Sequence, residues 1–306
     1  MAKDAYIGID LGGTTIQYGL LVTADSKPRH CSSLPTGKGR RAILEQFAEI
    51  VTLLGQAARR QRLRIAGIGV GSAGIVDPEN GKIVGRCPNI SGWEGTEVKR
   101  DLEARTGIET WVDNDANVMA LAEHRLGAGQ GYDSGLYITV GTGIGSGIVL
   151  AGKLWRGAAF AGAEMGHMIL VQNGRKCGCG KRGCLEVYAG TSAFVRSYGQ
   201  GLPSHAPVKE IFDRAAAGDK KAVAAVGKAA DYLACGIGSV LELLNPEVVV
   251  IGGGIAAGRG YLAQVRRRLP EYVTRTALRS ARIKGARLGN RAGLIGAALL
   301  AAEVVK

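Results

Sequence analysis

The chain is poor in aromatic residues, which make up only 5% of it. That argues against a surface built for stacking single-stranded bases. It lacks any apolar run of about 18 residues free of charges and turn signals, so no membrane span is expected. The opening MAKDAYIGID has no charged segment leading into a long apolar stretch, and so does not read as a signal peptide. No Gly-X-Y period, low-complexity linker or heptad array is present, which excludes collagen-like and coiled-coil architectures. A disulfide framework is missing as well. Of the six cysteines, Cys177, Cys179 and Cys184 crowd into eight residues, while Cys31, Cys87 and Cys235 stand alone. The expectation is a reduced, cytoplasmic protein whose isolated cysteines are buried thiols.

What is abundant is glycine, 48 of 306 residues, roughly twice the usual share. These glycines gather at the ends of apolar runs, where backbone comes close to a ligand. Lys and Arg outnumber Asp and Glu by 39 to 26, giving a net charge of +13, a balance that favours anionic partners. The arginine islands at 40–41, 59–64, 266–268 and 275–291 are separated by apolar residues and read as solvated helix faces.

Residues 5–22 form two apolar runs joined by a Gly-Gly turn, and residues 136–151 repeat that design. Two copies of one unit about 130 residues apart point to a duplicated, two-domain α/β architecture. Helical spacing covers 41–60. Strands are expected over 65–70, 109–112 and 247–251, the last entering three glycines as buried parallel strands do. Helices are expected from Val118 to Leu126, over 207–243 with breaks at Gly218 and Gly236, and over 292–304, with Pro246 closing the second group.

Asp10-Leu-Gly12-Gly13-Thr14-Thr15 sets a carboxylate at a strand end beside glycines and hydroxyls, a combination suited to phosphate oxygens and to Mg²⁺ held through water. Gly141, Thr142 and Gly143 open the matching turn of the second copy. Taken singly, each fits an ordinary glycine hairpin. No lysine follows either set of glycines, so neither is a P-loop, and neither leads into a helix as a dinucleotide fingerprint does. As a repeated pair they read as a clamp on a nucleotide phosphate chain. Gly252, Gly253 and Gly254, after a buried strand, offer a place for adenosine. Asp113, Asn114 and Asp115 lie at the mouth of a strand, where one carboxylate can take a proton from an attacking hydroxyl and an Asx residue can cap the next helix.

His167, Cys177, Cys179 and Cys184 fall within 18 residues, a closed Cys₃His set of the kind that holds structural Zn²⁺. Glycines between them let the loop wrap an ion, and Lys176, Lys181 and Arg182 favour thiolates. Four protein ligands leave no open position, so the metal staples a loop that presents Glu164 and Glu186. His30, His124 and His205 lack partners in the sequence and are read as surface residues.

Together these motifs resemble the ROK family of bacterial sugar kinases and repressors. Asp10–Thr15 is similar to its first phosphate motif and Gly141–Gly147 to its second. Leu244–Gly254 resembles the adenosine stretch, and Asn114–Asp115 lies in an N-D-A-N segment. Ala163–His167 is similar to the sugar motif, the cysteine run ending at Glu186 to the zinc signature, and Asn89–Trp93 to a segment lining the sugar pocket. The resemblance implies an actin-like ATPase (ribonuclease H-like) fold with an interdomain cleft. It also implies domains at 1–118 plus 291–306 and at 119–290, domain closure that excludes water, and a homodimer.

Carried over, the resemblance implies ATP-dependent phosphorylation of a hexose, glucose foremost, at the 6-hydroxyl. Asp115 would be the base; Asn89, Asn114, Glu164, His167 and Glu186 would bind sugar hydroxyls; ATP, Mg²⁺ and structural Zn²⁺ would be the cofactors. N-acetylated hexosamines, fructose and mannose are the alternative acceptors. Two departures bear on the choice of sugar: Ser72–Ala73 stands where glucose-specific members often carry proline, and Ala163 stands where many read A-G-E directly. A repressor needs a helix-turn-helix module ahead of Asp10, for which nine residues give no room. Polyphosphate-using relatives usually lack the cysteine signature. No specific nucleic-acid or membrane partner is expected.

Overall fold

The computed structural model describes residues 3–22, 27–85, 87, 90–202 and 207–304. The chain divides into two compact units. The first comprises Met1–Gln130, Leu154–Gly162 and Asn290–Lys306, the second Gly131–Lys153 and Ala163–Gly289.

In the first unit, strands β1 (Lys3–Leu11), β2 (Thr15–Val22) and β3 (Arg29–Pro35) form a meander, extended by β4 (Leu63–Ser72) and, beyond a small hairpin of β5 (Val76–Asp77) and β6 (Lys82–Ile83), by β7 (Thr110–Asn114). The sheet order is β3-β2-β1-β4-β7, with β4 parallel to both β1 and β7. Helices α1 (Arg40–Arg60) and α2 (Val98–Thr106) bury Phe47, Ile50 and Leu102 with the sheet in one core. Helix α3 (Asp115–Arg125) follows β7 directly.

The second unit repeats the plan with β8 (Gly135–Val140), β9 (Ile144–Leu150), the edge strand β10 (Lys153–Trp155), β11 (Val248–Gly252) and β12 (Arg282–Gly285), in the order β10-β9-β8-β11-β12. Strand β10 starts on Lys153, the last residue of this unit's first stretch, and its other two residues belong to the first unit. Here β11 runs parallel to β8 and β12. Equivalent order, with β1–β2 and β8–β9 both antiparallel and with β4 and β11 each parallel to both neighbours, bears out the duplication read from the two glycine turns. The helices of this unit are α4 (Glu186–Ala189), α5 (Thr191–Tyr198), α6 (Pro207–Ala216), α7 (Lys220–Leu244), α8 (Tyr261–Arg268) and α9 (Arg275–Ser280). Helix α10 (Ala292–Val304) closes the chain on the first unit.

Several expectations need correction. The break at Gly236 is absent, and α7 runs unbroken to Leu244. A Cβ at Gly236 would come within 2.8 Å of Leu185, and one at Gly238 within 2.5 Å of the Tyr272 carbonyl. Packing at those glycines outweighs their helix cost of about 1 kcal/mol each. Helix α3 begins at Asp115 rather than Val118, because Asn114 caps it. His124 is buried in α3 instead of lying on the surface, whereas His30 is exposed and His205 lies outside the described residues. All six cysteines are free; Cys87 is buried, but Cys31 and Cys235 are only half-buried. Among the described residues α7 alone is long and apolar enough to cross a membrane. Its Ala229, Ala230, Leu233 and Ile237 belong to the core of the second unit.

One buried polar group in that core stands out. Tyr261 is fully buried against Phe194 and Phe212, and its hydroxyl has no partner among the described residues. Burial raises its pKa well above the usual phenol range. Because an unsatisfied buried hydroxyl costs about 1 kcal/mol or more, Tyr261→Phe is expected to raise the midpoint of thermal unfolding by about 2–4 °C. A fall in that midpoint would show that the hydroxyl is bonded.

Candidate functional site

In the first unit, the parallel strands β1, β4 and β7 end together, with Asp10 paired to Gly71 and Gly71 to Asp113. Because Gly71 has no side chain, the carboxyl of Asp10 and the backbone of Asp115 approach one another over it. A Cβ there would lie 3.6 Å from Asp10 Oδ1 and 3.7 Å from Asp115 Cα. A Cβ at Gly293 would fall 2.0 Å from Asp10 Oδ2, so glycine at the start of α10 is what admits this carboxyl.

The three neighbours after β7 divide their labour. Asn114 accepts from Ala116 N and Asn117 N as helix cap, and its amide donates to the Gly74 carbonyl at 3.0 Å. Asp113 is buried and accepts from Asn114 N, from Asn117 Nδ2 and, through Oδ2, from Arg156 Nε at 2.7 Å and Nη2 at 2.6 Å. Asp115 heads the helix. The Arg156 anchor escaped the sequence reading because 43 residues separate it from Asp113.

Asp10 is raised from 3.8 to about 7, first by burial and then by the Asp115 carboxylate. Two like-charged carboxylates at one sheet end are a hard-oxygen donor set that suits Mg²⁺. Without a cation, folding makes Asp10 a weaker acid than in the unfolded chain, so stability is lost as pH climbs from about 4 to about 7, and stays level above that. Asp10→Asn removes this penalty. In metal-free buffer its advantage in unfolding temperature over the parent protein is expected to widen from pH 5 to pH 7 and then to hold steady; a gap independent of pH would contradict the shift.

The β1–β2 turn is closed by Gly12 N donating to Thr15 O, and Thr36 props it through bonds to Gly12 O and Thr14 O. Gly13, Thr14 and Thr15 are exposed at its tip. Of the Asn89–Trp93 segment, Asn89 lies outside the described residues, while Trp93 is a core residue whose indole donates to Ser72 Oγ at 2.9 Å. Ser72, one of the pair Ser72–Ala73 that departs from the family pattern, therefore receives a buried hydrogen bond.

In the second unit, the β8–β9 turn carries Gly141, Thr142 and Gly143, and Gly253 adopts a φ of 90° where a Cβ would collide with Val140 O. Gly141 and Gly254 line one cavity of about 530 Å³, with Thr191, Phe212, Gly258 and Arg259. That volume lies in the range of small-ligand pockets. The glycines were legible in the sequence; the α6 wall, with Phe212, was not.

The four metal-ligand candidates converge: their donor atoms all lie within 4.8 Å of one another. His167 Nδ1 is 3.7 Å from Cys177 Sγ, and Cys179 Sγ is 3.6 Å from Cys184 Sγ. Tetrahedral zinc with sulfur at about 2.3 Å spaces its ligands by about 3.8 Å, so the set fits zinc. Burial pushes the Cys177 thiol up to about 12 and raises Cys184, so a cation is needed to hold both as thiolates. His167 turns its other nitrogen, Nε2, toward Glu164 Oε2 at 4.0 Å. Burial raises the pKa of Glu164; His167 opposes the shift and the nearby Glu186 carboxylate adds to it. Just before Glu164, Ala163 adopts a φ of 63°, a conformation that glycine takes more easily. Glu186 does not stand free: its Oε2 accepts from Ile144 N at 3.1 Å.

The chain is similar to known proteins over nearly its whole length. The sequence model of the ROK family matches residues 6–304. A glucokinase of Thermotoga maritima is 34% identical, over 99% of this chain and 99% of its own. The ROK hexokinase of Thermus thermophilus superposes with a TM-score of 0.84 at 38% identity, covering 98% of this chain and 99% of that one. A ROK family glucokinase of Streptomyces griseus, solved with glucose and AMPPNP, gives 0.82 at 32% identity, again over 98% and 99%.

Proposed function

The chain belongs to the ROK family, and from that premise we propose that it is an ATP-dependent hexose kinase acting on the 6-hydroxyl of glucose. The observation that carries this reading is the carboxylate pair Asp10 and Asp115 at the strand ends of one unit, in a chain whose other unit holds a nucleotide-sized cavity edged by two glycine turns. Phosphoryl transfer needs positioning and charge neutralisation more than covalent chemistry, and those are what these residues supply.

In this reading Asp115 accepts the proton of the sugar hydroxyl. Asn89, Asn114, Glu164, His167 and Glu186 bind the remaining hydroxyls. Gly12, Gly13, Thr14, Thr15, Gly141, Thr142 and Gly143 hold phosphates through backbone N–H groups and hydroxyls, and Gly252–Gly254 border the adenosine. Asp10 carries the Mg²⁺ that arrives with ATP and neutralises phosphate charge. His167, Cys177, Cys179 and Cys184 hold Zn²⁺, which braces the loop bearing Glu164 and Glu186. A cytoplasmic homodimer with no membrane or specific nucleic-acid partner completes the proposal.

The test is ADP release from Mg-ATP with glucose, mannose, fructose, N-acetylglucosamine and N-acetylmannosamine in turn. Glucose is expected to give the highest kcat/KM. Preference for an N-acetylated sugar would keep the reaction and change the acceptor; silence across the panel would refute the kinase.

A further inference from the structure

The β8–β9 turn is held from outside itself. Its one internal bond runs from Gly141 N to Gly143 O at 2.9 Å. The other supports come from the short stretch that leaves the metal loop. Gly141 O accepts from both Thr191 N and Thr191 Oγ1, each at 3.0 Å. Ile144 N, the first amide after the glycines, donates to Glu186 Oε2. A Cβ on Gly143 would fall 2.4 Å from that same oxygen, and one on Gly190 would fall 3.0 Å from Thr142 O. Residues 186–191 thus close on both flanks of the turn.

The same stretch is fixed at its other end by the Cys₃His centre. Cys184 lies two residues before Glu186, and the second carboxylate oxygen of Glu186 sits 3.8 Å from Cys177 Sγ. One carboxylate therefore lies between two structures: Oε2 accepts on the turn, while Oε1 faces Cys177 Sγ. The latter is a hydrogen bond only as long as that sulfur keeps its proton, so with a cation bound the link runs through the two-residue step from Cys184 to Glu186. A cation gathering Cys177, Cys179, Cys184 and His167 fixes where α4 begins, and with it the placement of Glu186 and Thr191.

We infer that Glu186 is a positioning residue that couples the Cys₃His centre to the phosphate-binding turn, so that metal occupancy sets the affinity for nucleotide. This rests on the kinase reading, in which the turn holds nucleotide phosphates, and assigns Glu186 a task apart from any contact with sugar. Loss of the metal frees α4, Ile144 N loses its acceptor, and the turn no longer presents its amides in one arrangement.

Calorimetric binding of a non-hydrolysable ATP analogue with Mg²⁺, in the absence of sugar, tests this. Parent protein, Glu186→Ala and Glu186→Gln would each be measured zinc-loaded and after chelation, with zinc content and circular dichroism recorded for every form. Chelation is expected to weaken binding by the parent protein about tenfold, a size typical of coupling between sites. In Glu186→Ala, the loaded form should already show that loss, and chelation should add less than twofold. Glu186→Gln, which keeps an acceptor for Ile144 N, should recover most of the affinity. Unchanged affinity on chelating the parent protein would overturn the coupling, and so would losses from chelation and Glu186→Ala that multiply. A loaded parent protein that binds no analogue would instead refute the kinase reading itself.

Discussion

Replacing Asp115 with alanine is expected to lower kcat by about 10²–10⁴-fold, the usual contribution of a positioned base, while the fold and the bound zinc survive. The side chain leads α3 and its Oδ1 accepts from Ala116 N at 2.8 Å, but the cap of that helix is Asn114, whose side-chain Oδ1 accepts from both Ala116 N and Asn117 N. Removing the Asp115 carboxyl costs one shared bond to Ala116 N and leaves both cap bonds of Asn114 in place, so the helix start holds. The strand end is likewise held by Asp113, locked by Arg156 and Asn117. KM for ATP should change little, because the glycine turns assigned to its phosphates are untouched. Steady-state kinetics with zinc analysis checks both halves; kcat within tenfold of the parent enzyme would mean that Asp115 is not the base. Because the Asp115 carboxylate is part of what raises Asp10, the same variant should also narrow the pH-dependent stability gap between Asp10 and its asparagine isostere.

The second large effect concerns the fold. Helix α10 lies so close to the first sheet that a Cβ on Gly69 would stand 1.7 Å from the Ala297 carbonyl oxygen, and one on Gly8 would stand 2.0 Å from the Leu294 carbonyl oxygen. On its other side, a Cβ on Gly296 would stand 1.6 Å from Val118 O in α3. The obstacles are backbone atoms, so a side chain cannot swing aside to relieve them. Gly69→Ala must push α10 away from β4, and is expected to cost about 3 kcal/mol or more, lowering the unfolding temperature by roughly 10 °C. Gly55→Ala in α1 is the control. Nothing lies within 4 Å of its added methyl, and the helix should gain up to about 1 kcal/mol. Equal stability of the two variants, by denaturant or thermal unfolding, would contradict the close packing.

These contacts also mark where sequence reading stops. The duplicated sheet was legible because each copy writes its own signature within some 17 residues: apolar run, glycine turn, apolar run. The Cys₃His centre was legible because all four ligands sit in one loop. Asp10 and Asp115 stood out for a similar reason, each being a carboxylate at the end of an apolar strand. Arg156 did not, since its value comes from meeting Asp113 across 43 residues of chain. Gly236 misled because propensity ranks glycine as a helix breaker, whereas here its missing side chain makes room for Leu185 and Met165. His124 misled in the same way: an isolated histidine looks solvent-facing until α3 is packed. Glu186 was read only as a ligand for sugar, because its bond to Ile144 N exists only once α4 is folded against β9.

The most direct measurement is the structure of the product. Glucose incubated with Mg-ATP and the enzyme, followed by ³¹P and ¹³C NMR, should yield glucose 6-phosphate and ADP in equal amounts. ADP with free phosphate and no sugar phosphate, or phosphate carried on any other hydroxyl, would contradict transfer to a 6-hydroxyl activated by Asp115.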